Sequence, residues 1–562
     1  MNRITKKFLA LLLAVALLGS GLVGCGVLGD GQPPAIPTSG EDPDEGSEFT
    51  PLDLGIPCDG RLSIAFQAED NLNPYTARSR DNISVAGLIY EGLYALGENF
   101  TAVPVLAQGL TTLDGRRYTL EIRNDIRFHD GAGLTIEDVI YSLNRARNST
   151  LFGGRLDIIS GYERRYDAQG ERLEYEMDIV LTRVHGNIPV LLTFPIIQRG
   201  SFGQSVPPGT GPYSFTDTGG SARLISFPGH RYAQDLPKDT IYLAEIVTME
   251  QLSAHFNAGR LDILALELTA TGEPSLAATR EMRHFEATLM DYIGFNLQRP
   301  ETSRPEVRQA ISAAINRAYV TDNIMRGNAV ASPLPIHPSV FYYDHVLAAE
   351  FSFDLPRARQ ILAREITVDM PAMPAEDGDD IEETPPGVPP SEEYPDGEYE
   401  EPDDAPPTRL TLLVAGGNTN RMEVAVYIAA SLSELGYQVI IDDRPYNEFL
   451  QALEAGEFDL FYGQVRLQPD FDLSELLFGS LAFGGTQNRI DHRLLDDFLA
   501  SGQSDRAERA SVLNRAILTD APFAVIGFRH LSVATQRGVV IGMQPTQENL
   551  YNNVWEWIVN IE

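Results

Sequence analysis

The sequence predicts an α/β protein, and three observations carry that expectation. In "AVYIAASLSELGYQVIIDD" (residues 425–443) a helix-period run stops at Gly436 and gives way to a strand. The same order repeats in "YNEFLQALEAGEFDLFYGQV" (residues 446–465), where Gly456 ends the helix. Near the other end, "RLSIAFQ" (61–67) and "GRRYTLEIRNDI" (115–126) alternate apolar and polar side chains, the period of a half-buried strand. Helix and strand in alternation build an α/β layer. With 562 residues, 43% of them apolar, the chain can bury cores for two to four domains.

The first residues read as a targeting signal. Arg3, Lys6 and Lys7 precede an apolar run of residues 8–18, too short to be read as a membrane span, and "LVGC" (22–25) follows. "LVGC" resembles a bacterial lipobox, which implies cleavage before Cys25 and lipidation of that residue, a membrane anchor once two or more acyl chains are added. The signal peptide is residues 1–24; residues 25–55, rich in Gly, Pro, Ser, Asp and Glu, read as a flexible acidic spacer. Cys58 then has no partner for an internal disulfide, and "GIPCDG" offers no electropositive setting to activate it.

The formal charge is -36. Part of it is concentrated in residues 376–404, where 14 acidic residues alternate with Pro and Gly and no Lys or Arg occurs. Residues 370–408 therefore read as a disordered acidic, Pro-rich insert, since such a segment cannot bury enough apolar surface to offset its ordering entropy. So acidic a chain disfavours nucleic acid as a partner, because phosphate binding needs a basic face.

"ISVAGLIYEGLYALG" (83–97) places Val85, Leu88, Ile89 and Leu93 at helical spacing. "RFHDGAGLTIEDVIYSLNRA" (127–146) puts a His-Asp and a Glu-Asp pair close together, a pattern that could belong to a catalytic or metal site. However, Thr135 and Asp138 fit a capping box, Glu137 and Asp138 lie in a first helical turn, and Ile136, Val139, Ile140 and Leu143 form one apolar face. His129 and Asp130 precede Gly131 and Gly133 in a turn. No H-E-x-x-H, G-x-S-x-G or P-loop pattern occurs, and the nine His residues lack ligand spacing. These readings predict no catalytic residue, no metal site and no cofactor. "PEVRQAISAAINRAYVTDNIM" (305–325) has Val307, Ala310, Ile311, Ala314 and Ile315 on one face and predicts a long core helix.

An ordered series of segments now resembles one family. "NLNPY", "LIYEGLY", "VPVLAQGLTTLDGRRYTLEIRNDIRFHDGAGLTIEDVIYSLNRA", "GTGPYSF", "FNAGRLDIL", "YIGFNLQRP" and "PEVRQAISAAINRAYV" are similar, in sequence order, to signature stretches of the family 5 extracellular solute-binding proteins. These are the dipeptide-, oligopeptide- and nickel-binding lipoproteins of ABC importers. Each motif is weak alone; their order from about residue 61 to the C-terminus is specific.

The resemblance implies a periplasmic-binding-protein-like class II fold, two α/β lobes around a cleft plus an additional domain. Lobe I would comprise residues 56–74, 205–295 and 520–562, the additional domain 75–204, and lobe II 296–519 with the insert. It also implies a monomeric receptor that does no bond chemistry, captures a peptide or other small molecule by lobe closure and passes it to a membrane permease. A nickel chelate, an oligosaccharide, or a signalling or adhesive role on the same scaffold are the alternatives.

In the peptide receptors of this family an acidic residue after a "GW" strand end meets the ligand ammonium group. Here Gln464 stands for the tryptophan, Leu467 falls at the acidic position, and Asp470 and Asp472 follow. Either Asp470 or Asp472 takes over the anchor, or the ligand has no free N-terminus. Arg466 is a candidate for a ligand carboxylate. Gln67, Glu69, Asn71 and Asn73 in the loop after the first strand, and Tyr292, Phe295 and Asn296 in a segment crossing between lobes, complete the candidate ligand contacts.

Overall fold

The computed structural model describes residues 60–266, 276, 280–368 and 408–561. The signal peptide, Cys25, the spacer, Cys58 and nearly all of the acidic insert lie outside the described residues; Thr408 already begins a strand.

Two large mixed sheets organise the molecule. In the seven-stranded sheet the order is β12 (Arg280–Phe285), β19 (Leu531–Gln536), β11 (Ile263–Leu266), β1 (Leu62–Phe66), β10 (Thr240–Glu245), β9 (Ala222–Ser226) and β8 (Tyr213–Asp217). β1 runs parallel to both its neighbours, and all five of its residues are buried, as expected of a strand covered on both faces.

The six-stranded sheet has the order β14 (Ala329–Ala331), β18 (Phe523–Arg529), β13 (Leu289–Phe295), β17 (Leu460–Arg466), β15 (Thr408–Ala415) and β16 (Tyr437–Arg444). One of its faces carries Ile293, Phe295, Leu460, Leu412 and Ile526 against Val424 and Ile428 of the helix Thr419–Ser433. β13 and β18 fall within residues assigned to lobe I from sequence, yet both are hydrogen-bonded into this second sheet. The chain passes between the two sheets twice, from β12 to β13 and, through His530 alone, from β18 to β19.

A four-stranded antiparallel sheet, β4 (Ala107–Thr112), β5 (Arg117–Ile122), β7 (Arg172–Leu181) and β6 (Ile159–Tyr166), is built entirely from residues between β1 and β8. Two short hairpin-like pairs, β2 (Tyr94–Leu96) with β3 (Ala102–Pro104) and β20 (Val540–Ile541) with β21 (Ile558–Val559), complete the strands. Among the described residues no helix is long and apolar enough to cross a membrane.

Two sequence expectations need correction. The helix expected through Leu93 ends at Ile89, because Tyr90 is extended (φ -123°) and Leu93 instead enters the core beside β2. The long helix expected over residues 305–325 is broken: Pro305–Ala313 is helical, Asn316 leaves the helix (ψ 91°) and caps the N–H of Tyr319, and a π-helical turn covers Val320–Ile324. Arg317 explains the break. Its guanidinium is buried and donates to the carbonyls of Val525 (2.6 Å) and Ser312 (3.1 Å), a geometry an uninterrupted helix would not allow.

Candidate ligand site at the open edge of β17

β17 pairs with β13 along its whole length, from Leu460 opposite Phe295 to Arg466 opposite Leu289. On its other side β15 pairs only through Leu412 and Leu413, opposite Leu460 and Phe461. Beyond Phe461, β15 turns away at Gly416 and Gly417, the latter at φ 82°, and enters the helix Thr419–Ser433, where the Asn418 side chain accepts the Arg421 N–H at 2.9 Å. Residues 462–466 therefore have no strand paired with them on this side, and the more exposed part of the edge, residues 464–466, is a surface on which an extended ligand can add.

Asp291 sits behind that edge. Its Oδ2 accepts Nε of Arg529 (2.7 Å) and the Tyr462 hydroxyl (2.8 Å), and Oδ1 accepts Nε2 of Gln464 (2.9 Å). The Asp291 and Arg529 side chains are 1% and 2% exposed. Burial, reinforced by the Asp291 charge, raises the Tyr462 phenol well above its ordinary value. Burial works against the Arg529 cation, but Asp291 more than offsets it and holds the guanidinium above its usual range. Arg421 lies at the point where β15 leaves the sheet: its Nη1 donates to the Ala415 carbonyl (3.1 Å) and its guanidinium stands 5.8 Å from the Tyr462 ring centre.

Both acidic candidates are already engaged. Asp470 is 2% exposed; Oδ2 meets Nε2 of His185 at 2.9 Å, Oδ1 accepts the Asp472 N–H, and its carbonyl accepts Nη2 of Arg506 at 2.9 Å. Burial alone would raise this carboxyl; His185 and these contacts hold it below its ordinary value. Asp472 pairs with Arg183 at 2.7 Å and takes both the N–H and the hydroxyl of Ser474. Leu467 is buried, its N–H donating to the Thr288 carbonyl at 2.9 Å.

The remaining candidates divide between loop structure and core. The Asn82 side chain accepts the Gln67 N–H and donates to the Gln67 carbonyl, both at 2.9 Å, and the Gln67 side chain donates to Asp81 at 3.4 Å. Asn71 accepts the Asn73 N–H and the Thr76 hydroxyl, and Asn73 donates to the Phe202 carbonyl at 2.8 Å. These side chains hold the loop in shape, while Glu69 is exposed. Tyr292 packs edge-on against Phe461 and Phe523, Phe295 is core, and Asn296 donates to the carbonyls of Gly456 and Phe458. Tyr292, Phe295 and Asn296 are thus buried wall supports, because the crossing segment is itself a central strand. Gln464 faces Asp291 and Arg466 is exposed at the edge's end.

Sequence reasoning missed Asp291 and Arg421. A lone acid inside the apolar run "LMDYIGF" was the available signal, because a carboxylate in a central strand needs a buried cation. Arg421, in a helix's first turn, carried none.

His129 and its neighbours lie elsewhere. Nε2 of His129 donates to the Gly211 carbonyl (3.0 Å), the Thr135 N–H and hydroxyl donate to Asp138 Oδ2 (3.0 and 2.7 Å), and Glu137 pairs with Arg164 (2.7 Å). Gln198 donates to Asp130 at 2.7 Å. Each polar group in the stretch has a structural partner. Among the described residues no group of three or more His, Cys, Asp or Glu side chains is placed to hold a metal ion.

The profile of the bacterial extracellular solute-binding proteins, family 5 middle, matches residues 101–475. A glutathione-binding protein GsiB of Salmonella choleraesuis is 25% identical over 307 residues, covering 52% of this chain and 58% of that protein. The chain thus spans about half the length of the curated relatives it matches. Two solved structures share the fold: the oligopeptide-binding protein AppA of Bacillus subtilis in complex with a nonapeptide (TM-score 0.57, 18% identity, 89% of this chain and 98% of that one) and NikZ of Campylobacter jejuni in complex with Ni(L-His) (TM-score 0.59, 17% identity, 89% and 99%). This chain belongs to the bacterial extracellular solute-binding proteins of family 5 and has their class II periplasmic-binding-protein fold.

Proposed function

We propose that this protein is the substrate-binding component of an ABC importer, capturing oligopeptides or dipeptides in a cleft between two lobes and delivering them to a membrane permease. The observation that carries this reading is the open edge of β17 over residues 462–466, at the end of the sheet where the chain crosses to the other sheet. An extended peptide added there gains main-chain hydrogen bonds that do not depend on its side chains. The fold is shared with a receptor solved around a nonapeptide. A nickel chelate is the second reading, favoured by the likeness to a protein solved with Ni(L-His).

The lobes are proposed to follow the sheets. The seven-stranded sheet would be lobe I, the six-stranded sheet lobe II including β13 and β18, and residues 75–204 the additional domain. The same reading takes the protein as a lipoprotein held at the outer face of the cell membrane through Cys25, acting as a monomer without catalysis. Mass spectrometry of molecules that co-purify with the native protein, followed by thermal-shift titration with peptides, nickel chelates and oligosaccharides, tests it. A peptide that raises the melting temperature supports it; stabilisation by another class alone would sink it.

A further inference from the structure

The two crossings between the large sheets run side by side. β12 and β19 are neighbours in one sheet, paired as far as Phe285 opposite Leu531, and β13 and β18 are neighbours in the other, paired from Met290 opposite Phe528. Residues 286–288 and His530 therefore form a two-chain ribbon, and a rotation of one sheet against the other is taken up in its torsions. Titratable side chains crowd this ribbon. The His284 and His530 rings lie 6.4 Å apart between centres. Glu286, the first residue past the ladder on the other crossing, turns its carboxyl to Ser339, with Glu98 nearby.

Two ring nitrogens in this cluster, Nδ1 of His530 and Nε2 of His337, are buried without a hydrogen-bond partner. His337 is packed edge-on against Phe100 and Phe528, its Nδ1 accepting the Ser339 N–H at 3.2 Å and meeting the Ser339 hydroxyl at 2.8 Å. His284 meets the Ser532 hydroxyl at 2.9 Å, and the His530 N–H donates to the Asn328 carbonyl at 2.9 Å. The cations around the ribbon are engaged or turned to solvent. Arg529 pairs with Asp291, Arg283 pairs with Glu281 on the face of β12 opposite to His284, and Arg326 is exposed. Glu286 and Glu98 are the carboxylates of the cluster, and among the described residues His530 is in no ion pair. Burial, with His284 beside it, lowers the His530 imidazole from its ordinary value.

We infer that this ribbon is a proton-sensitive hinge: protonation of His530 disfavours the arrangement of the two sheets seen here and favours one in which the ribbon twists and the imidazolium pairs with Glu286. This rests on the reading of the two sheets as lobes that move against each other. In the β12–β19 register the pair that follows Phe285 and Leu531 is Glu286 and His530, so extending the ladder by one residue sets imidazolium and carboxylate opposite each other. Burial raises the Glu286 carboxyl where it now lies; a cation opposite it would lower it again. The proton thus adds an attraction that only the other arrangement satisfies, and it draws the population there. A difference of one pKa unit at His530 between the two arrangements moves their ratio about tenfold. The hold on a ligand would then follow the pH around the receptor.

Single-molecule energy transfer in the full chain tests this. Donor and acceptor dyes are attached through ketone-bearing residues replacing Ile225 on β9 and Ile440 on β16, both exposed, so that neither cysteine is touched. Between about pH 7.5 and about pH 5 the ratio of the two transfer populations should change about tenfold in the parent and less than about twofold in His530→Gln. Glu286→Gln should likewise suppress the change. His284→Gln, at an exposed site, should move the midpoint to higher pH, because a competing positive charge is gone. Melting temperatures at neutral pH check the folding of each variant. The full change persisting in folded His530→Gln or Glu286→Gln, or an unmoved midpoint in His284→Gln, overturns the inference. A parent whose populations ignore pH but respond to a tripeptide library also overturns it, while leaving the lobe reading intact. If neither pH nor tripeptides, nickel–histidine or oligosaccharides change the transfer, the lobe reading itself has failed and the inference with it.

Discussion

Arg529 and Asp291 face each other from adjacent central strands, Nε to Oδ2 at 2.7 Å, with almost no solvent on either side chain. A buried pair is strongly coupled to its surroundings, because removing one member strands the other charge in a medium that solvates it poorly. Asp291→Asn should therefore cost about 3–5 kcal/mol in urea denaturation. The double variant Asp291→Leu/Arg529→Leu should cost clearly less than the sum of the single changes, the non-additivity expected of partners.

The part of the chain that carries the four-stranded sheet meets the loop after β17 through His185 and Asp470. Asp470 is held below its ordinary value of 3.8, so it contributes stability above that pH and loses it as pH falls through its lower folded value. Thermal melts should fall steeply below about pH 4 in the parent. Asp470→Asn should be less stable at pH 7 and show a flatter acid limb.

His337 carries a second pH dependence, of a different kind. Its Nδ1 accepts the Ser339 N–H, its ring packs between Phe100 and Phe528, and burial, with His530 nearby, pushes it from 6.5 down to about 3. The folded protein keeps it neutral while the unfolded chain takes up a proton below 6.5, so stability declines from that pH down to the folded value. The loss should be about 2 kcal/mol between pH 7 and pH 5, and His337→Phe should remove it, as read by urea denaturation at both pH values.

Gly186 lets the chain after β7 approach the end of the helix His492–Ala500. Its N–H donates to the Leu499 carbonyl at 2.8 Å, and a Cβ there would lie 1.9 Å from the Ser501 carbonyl oxygen. Gly186→Ala should destabilise the protein by about 1–3 kcal/mol and widen the molecule in small-angle scattering.

His129→Ala should leave ligand affinity unchanged in calorimetry, since the imidazole ties the strand end to Gly209 and Gly211. The cost should be confined to stability, about 1–3 kcal/mol.

Local patterns carried much of the fold. The period-two run before Gln67, the glycine stops at Gly436 and Gly456, and the capped helix after Thr135 are set by short-range sterics and amphipathicity, which a sequence displays directly. The break after Ala313 was hidden, because it depends on where Arg317 finds distant carbonyl acceptors. The fate of the site acids was hidden for the same reason. His185 and Asp470 are 285 residues apart, and nothing near either one announces the other. Gln464 and Leu467 were the local signs that this stretch departs from the family's sequence pattern.

Hydrogen–deuterium exchange over residues 462–466, with and without a saturating peptide, tests the central claim most directly. The expected result is at least about tenfold slower exchange at amides on the open edge of β17, with no hydrolysis of the peptide over the experiment. Unchanged exchange there under a peptide that binds, with protection in another part of the molecule, would contradict it.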